Sequence, residues 1–478
     1  MTTGGRGCKP CAVQRSSVAR FGSWLLASWL LVAWGGSAEA KPPKRDPPLL
    51  FGGAVTKPKT KAPLDPRLPT GADLPATAPR PAVTASRCSF RRPVCVHATS
   101  VAAQPALPEA LTALEHAYER IILALKLPAP LGDHDRGGND ALDWYVDAEP
   151  SELSVAQEAL LVGRMDAAPV FCRGGAPSGV LLQRQAALCV GEALASSLDA
   201  GESPDARHAL ALELWWITGE KTSLDVQAVD DAQRHPEEPL AFDRMRAPGA
   251  ASRFALLLEM LETMRSAASP GVLSASMLSA AASRTAPGAA AFDDEPDVFD
   301  VLRHSLDEEL PRYADLLVDF ALRRGLAGDR DDGTRLPSLA FAGAFARPHF
   351  DWVIPFSSMP RRVLSGTPIA PSGAELIWVE LDDAPLGATV GFRAEWEAPV
   401  AFQWRLLLVD RDGHDVRRID VPFQERGRSA DARVLRLDGA KAMLIAGVNL
   451  GGVDLAYPFD PDIQPFEPSA CTVYLVSM

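Results

Sequence analysis

The chain of 478 residues has 47% apolar and 23% charged side chains, an ordinary balance for a folded protein, and a formal charge of −13. Residues 1–40 hold four basic and one acidic residue, and residues 41–87 nine basic and three acidic, so residues 88–478 carry −22. An acidic body repels nucleic acid and anionic lipid, which argues against a nucleic-acid partner. The length suggests two or three domains.

The amino end carries Arg6, Lys9, Arg15 and Arg20, then the apolar run Phe21 to Trp34, then Gly35, Gly36 and Ala38-Glu39-Ala40. A basic stretch, a short apolar stretch and an A-x-A site form a secretory signal pattern, so residues 1–40 are expected to be removed on export to the periplasm or beyond. No later stretch is long and apolar enough to span a bilayer, so the mature chain is not expected to cross one. Residues 41–87 are punctuated by proline and are basic, which predicts an extended linker.

Residues 88–345 read as a mainly helical body. Helical spacing begins at Pro108-Glu109 and ends near Leu127-Pro128, and recurs over about 154–164, 180–200, 204–218, 250–267, 297–308 and 313–325. A short strand is expected at 142–146. Gly201 and Gly219 stand where helix ends favour a left-handed residue. From about 350 the apolar period falls to two, and seven strands are expected at 375–381, 388–397, 401–410, 415–423, 432–437, 441–450 and 471–477. The dipeptides Asp412-Gly413 and Asp438-Gly439 signal turns between them. The fold class is therefore α+β, a helical body followed by an antiparallel β-sandwich over 346–478. The joining segment from Pro348 carries Phe350, Trp352, Val353, Ile354 and Phe356, too many large apolar residues for a free linker.

In an exported chain the cysteines are disulfide candidates. Cys88 and Cys95, flanking SFRRPV, make the first candidate pair and Cys172 and Cys189 the second, with Cys471 left over; spacing alone does not fix the pairing. Zinc hydrolysis commonly uses two histidines four residues apart with a glutamate between them, and none of the eight histidines has such a neighbour. No G-x-S-x-G, S-x-x-K, P-loop or dinucleotide motif is present in the mature chain. The Gly-rich loop with Asp133, Asp135, Asn139 and Asp140 offers oxygen ligands to calcium, although Trp144 stands where an EF-hand needs its glutamate. An ordinary solvated turn is the plainer reading. Trp215-Trp216 reads as core packing.

Several of these segments, in this order, resemble a family of secreted, predicted HExxH-type metallopeptidases of myxobacteria. They are CVHATS, LPEALTALEHAYERIILALKLPAP, GDHDRGGNDALDWYV, EPDVFDVLRHSL and DLLVDFALRRGLAGDRDDG. The resemblance spans most of 95–345 and implies a peptidase-like body with a β-rich carboxyl domain. Where the family's zinc helix should fall, this chain has LLQRQAALCVGEALASSLDAGESP, with no histidine. Leu188, Cys189, Val190 and Glu192 cannot replace two imidazoles and a water-activating glutamate, so no catalytic residue carries over and zinc is not expected. Three functions remain in view. The first is a degenerate, non-catalytic scaffold that binds an unknown protein or envelope component. The second is a structural surface protein whose β-domain binds a partner. The third is a hydrolase whose site gathers Glu192, His208 and Glu213.

Overall fold

Alternating side chains over Val94–Ala98 and Leu142–Asp147 divide each segment into an apolar face and a polar one, and both are strands. The computed structural model describes residues 79–133, 135–158, 167–240, 249–265, 270–282, 297–306, 310–396, 400–424, 427–437, 439–452 and 472–478. The signal segment, residues 41–78 of the linker, Asp438 and Cys471 lie outside these. The class is α+β, but the body is less purely helical than the sequence suggested. It opens with a five-stranded sheet of β1 (Ala85–Cys88), β2 (Val94–Ala98), β3 (Leu142–Asp147), β4 (Ser154–Gln157) and β5 (Val170–Gly175), in the order β1-β2-β3-β5-β4. Strands β2, β3 and β5 run parallel, and β1 and β4 are antiparallel edges. Two expectations are corrected here. Residues 79–87, assigned to the linker, belong to the fold. Residues 154–157, assigned to a helix, pair with β5 as a strand, because pairing at a sheet edge overrides the helical preference of Ala156 and Gln157.

The apolar face of this sheet, formed by Val94, Val96, Leu142, Trp144, Val146, Val170 and Cys172, joins the main core. Against it pack α1 (Leu107–Tyr118), continued as a π-helical stretch to Ala124, and α2 (Val180–Leu198). Helix α2 is apolar on all sides and enclosed, with every residue from Ala186 to Ser196 buried. Then come α3 (Pro204–Thr218), α4 (Ser223–Arg234), α5 (Ala250–Arg265), α6 (Val272–Ala281), α7 (Val298–Ser305) and α8 (Leu310–Gly325). Helices α4 and α6 were not anticipated, although Thr222 and Asp225 form a capping box at the start of α4.

Gly201 and Gly219 do not adopt the left-handed conformation expected of them. Gly219 is extended, at φ −106 and ψ 170, and what requires glycine is the Trp215 ring, 2.0 Å from where a Cβ would stand. Gly191 serves a different need, since a Cβ there would lie 2.6 Å from the Ala211 Cα where α2 crosses α3. Backbone cannot yield as a side-chain tip can. Gly191→Ala is therefore expected to cost about 1–3 kcal/mol, read as a lower urea midpoint; an unchanged midpoint would mean that the two helices part freely.

Trp215 and Trp216 are both core residues, and both indole N–H groups point to one carboxylate. Trp215 Nε1 donates to Asp225 Oδ2 at 2.9 Å and Trp216 Nε1 to Asp225 Oδ1 at 3.4 Å.

The carboxyl half contains β6 (Trp352–Pro355), β7 (Arg361–Leu364), β8 (Ala374–Glu380), β9 (Val390–Trp396), β10 (Val400–Val409), β11 (Asp415–Asp420), β12 (Ser429–Val434), β13 (Ala442–Gly452) and β14 (Thr472–Ser477). They form two facing sheets, β11-β10-β13-β8-β6 and β12-β9-β14-β7. The sandwich is not wholly antiparallel, because β6 lies parallel to β8. The joining segment supplies β6 to one sheet and β7 to the other, while Ile354, Phe356 and Met359 enter the core between them.

The five-stranded sheet of the sandwich is covered on both faces. Leu406, Ile445 and Ile377 lie side by side and face the second sheet. Their neighbours Leu407, Leu444 and Trp378 face the helical core, against α8. Arg405 and Arg418 reach from this sheet to Asp315 and Asp319 of α8, at 2.7 and 2.8 Å. Among the described residues no helix is long and apolar enough to cross a membrane.

Candidate functional site

The strand alternation that sends Val96, Trp144 and Cys172 into the helical core places Cys95, His97, Asp143, Tyr145, Phe171 and Arg173 on the opposite face of the first sheet. His97 stacks on Tyr145 with ring centroids 4.9 Å apart, and Tyr145 meets Phe171 edge-on at 5.4 Å. Over the Tyr145 and Phe171 rings lies the Arg80 guanidinium, 6.0 and 5.4 Å from their centroids.

Three buried carboxylates surround that guanidinium. Glu158 takes Nε and Nη2 as a two-pronged pair, at 2.8 and 3.0 Å. Asp133 lies 2.7 Å from Nη2, Asp143 takes Nη1, and the Tyr145 hydroxyl stands 3.2 Å from Nη1. Asp133, Asp143 and Glu158 are each at most 1% exposed, whereas Arg80 is 14% exposed. A second cation, Arg136, stands 3.6 Å from Glu158. Burial alone would lower the pKa of Arg80, but its bonds to Glu158 and Asp143 hold it above the ordinary value. Burial pushes the Asp133 carboxyl up, against the pull of the Gly137 N–H, and burial also raises the Tyr145 hydroxyl.

His97 links this recess to the edge strand. Its Nε2 is 2.9 Å from Asp143 Oδ1 and its Nδ1 is 2.7 Å from Ser86 Oγ, the residue directly opposite on β1. With an Nε2 proton directed at the carboxylate, Nδ1 is placed to accept from the serine hydroxyl. The result is a serine–imidazole–carboxylate chain whose serine end is exposed. Cys95, His97 and Asp143 also lie close enough together to suggest a metal cluster, but the Cys95 sulfur is bonded to Cys88.

The residues singled out in the sequence are scattered. Of the calcium candidates, Asp133 turns inward to Arg80, Asp135 is exposed, Asn139 Nδ2 lies 2.9 and 2.8 Å from the Cys88 and Cys95 sulfurs, and Asp140 is exposed. They do not converge on one point, so the loop forms no calcium cage; its work is to carry Asp133 into the recess. Cys88–Cys95 and Cys172–Cys189 are bonded, with sulfurs 2.03 and 2.05 Å apart, and the second pair ties β5 to α2.

Glu192 and His208 do meet, at 2.7 Å, but Glu213 is not with them. His208 and Glu213 are five residues apart on α3, which separates them by roughly 140° around the helix. Glu213 is 1% exposed and has Glu262 and Glu259 of α5 as charged neighbours; burial first, and the Glu262 charge second, push its pKa well above the usual range. The trio proposed for hydrolysis is therefore not assembled. In the stretch expected to stand in place of a zinc helix, Leu188 and Val190 are core residues and Cys189 is the disulfide partner of Cys172.

The sequence reading missed Arg80, Ser86, His97, Asp143, Tyr145 and Glu158. Its available signal was the polar set alternating with apolar residues in VCVHA and LDWYVD. The chain matches no family model and no curated protein.

Proposed function

We propose that the chain is an exported binding protein, periplasmic or extracellular, built on a peptidase-like body that performs no zinc chemistry. The observation that carries this reading is the use made of α2. Leu188 and Val190 fill the core, Cys189 is committed to a disulfide, and Glu192 has a single imidazole beside it. Two disulfides support a destination in an oxidising compartment. The recess of carboxylates and aromatic rings on the first sheet supplies the recognition chemistry, and an unknown protein or envelope component is the partner it would serve.

A hydrolase is the second reading, favoured by the Ser86–His97–Asp143 chain. Against it, the second oxygen of Asp143 is already neutralised by Arg80, which weakens the carboxylate's support of a charged imidazole. The expected result is less than one zinc per purified chain, no chelator-sensitive proteolysis, and no labelling of Ser86 by a fluorophosphonate probe. One tightly held zinc, or Ser86 labelling that His97→Ala abolishes, would replace the binding reading with an enzymatic one.

A further inference from the structure

The Arg80 recess has the composition of a receptor. A guanidinium presents five N–H donors in a rigid fork and two π faces. Here Glu158 answers the fork with both oxygens, Asp133, Asp143 and the Tyr145 hydroxyl stand at the remaining N–H groups, and the Tyr145 and Phe171 rings lie together beside the guanidinium. Asp143 and Tyr145 are on β3, Phe171 is on β5 and Glu158 directly follows β4, so these walls stand in place whatever fills the space, and the loop before β3 adds Asp133.

The occupant is held differently. Among the described residues no backbone hydrogen bond involves 79–83; the first is Thr84 N to Ala98 O, at 2.9 Å. Residues 82–84 are exposed, Val83 at 45%. Among the described residues the segment leading to β1 is held at this end by the Arg80 side chain, seated in a recess whose walls do not depend on the segment's own backbone. Ionised carboxylates this deeply buried are costly without a cation, but nothing in the geometry requires that cation to belong to residue 80.

We propose that the recess is a binding site for the arginine side chain of a basic peptide, and that Arg80 fills it as an intramolecular stand-in which such a peptide displaces. This rests on the binding reading above and names its ligand class. Lysine fits poorly, because a single ammonium cannot engage both Glu158 oxygens in parallel while also reaching Asp133 and Asp143. The exchange is reversible and breaks no covalent bond.

The test uses the full chain with Arg80→Gln, titrated calorimetrically with N-acetyl-argininamide and, as control, N-acetyl-lysinamide. Arg80→Gln should bind argininamide about tenfold or more tighter than the parent chain does, and about tenfold tighter than it binds lysinamide. Adding Glu158→Gln should abolish the binding. If Arg80→Gln does not fold, Arg80→Lys keeps a cation among the carboxylates but loses the fork, and argininamide should still bind it more tightly than it binds the parent. A folded variant that ignores argininamide, or one that binds the two amides equally, would make Arg80 a fixed structural ion and end the proposal. That outcome leaves the non-catalytic reading standing, because that reading fails only by zinc content or by serine labelling.

Discussion

Replacing Asp225 with alanine is expected to destabilise the chain by about 3–5 kcal/mol, among the largest effects of any single change in the body. The carboxylate is fully buried and serves four groups at once. It accepts from the Trp215 and Trp216 indoles, from Arg184 Nε at 2.8 Å, and from the Thr222 N–H at 2.8 Å in the cap of α4. Burial would raise its pKa, but Arg184 and these donors hold it below the usual range, so the ionised form is the one the fold uses. Alanine would leave a guanidinium and two indole N–H groups enclosed without an acceptor. Asparagine keeps one acceptor oxygen and should cost less. Urea unfolding of the three proteins at neutral pH measures the difference; a loss below about 1 kcal/mol for Asp225→Ala would show that water replaces the carboxylate and that this is not a hub.

Replacing Glu213 with glutamine should have the opposite sign, and the effect should depend on pH. A carboxyl whose pKa is higher folded than unfolded favours folding fully below its unfolded pKa, and that contribution is lost as pH rises through the folded value. Glu213 is such a group, raised by burial and by Glu262, and Glu262 is itself raised by burial. Glu202, enclosed beside the start of α7, is pushed up to about 7 by burial and follows the same rule. The parent chain therefore carries a load of buried acid that weighs more at pH 8 than at pH 5. Glu213→Gln keeps the shape of the neutral acid and removes its charge. Its melting temperature should exceed the parent's at pH 8 by several degrees and differ little at pH 5. An equal loss at both values would mean that Glu213 is ionised in the fold and has a cationic partner there.

The parts legible in the sequence were those whose pattern is local and repeated. Helices α2, α3, α5 and α8 are long enough to show as helices, β9 and β12 alternate cleanly, and β10 and β13 read as apolar runs between turn signals. The first sheet was mostly hidden because its strands are four to six residues long, and β5, VFCRGG, ends in glycines. Strands β6 and β7 were hidden by prolines, which sit at strand ends where no ladder bond is lost. The recess was illegible for a different reason. Glu158 lies 78 residues from Arg80, and Arg80 itself stands in a basic, proline-rich stretch that composition alone assigns to solvent. Only the alternation within β2 and β3 hinted that His97, Asp143 and Tyr145 share a face. Asp133 was noticed, but as an oxygen ligand rather than as the partner of a guanidinium.

The sheet gripped by α8 on one side and by β12-β9-β14-β7 on the other sets a timetable for the chain. Synthesis delivers α8 before any strand that covers it, and β13, at the centre of that sheet, is followed among the described residues by β14 alone. Until β13 arrives, α8 has β8 and β10 to rest on but lacks the strand it packs against most, including Leu444 beside Gly325. The amino-terminal helices can gather early, but their last layer must wait for nearly the whole polypeptide. A nascent chain halted between α8 and β13 would therefore hold a partly unquenched apolar stripe and be a client for a holdase chaperone, whereas one halted before α8 would not.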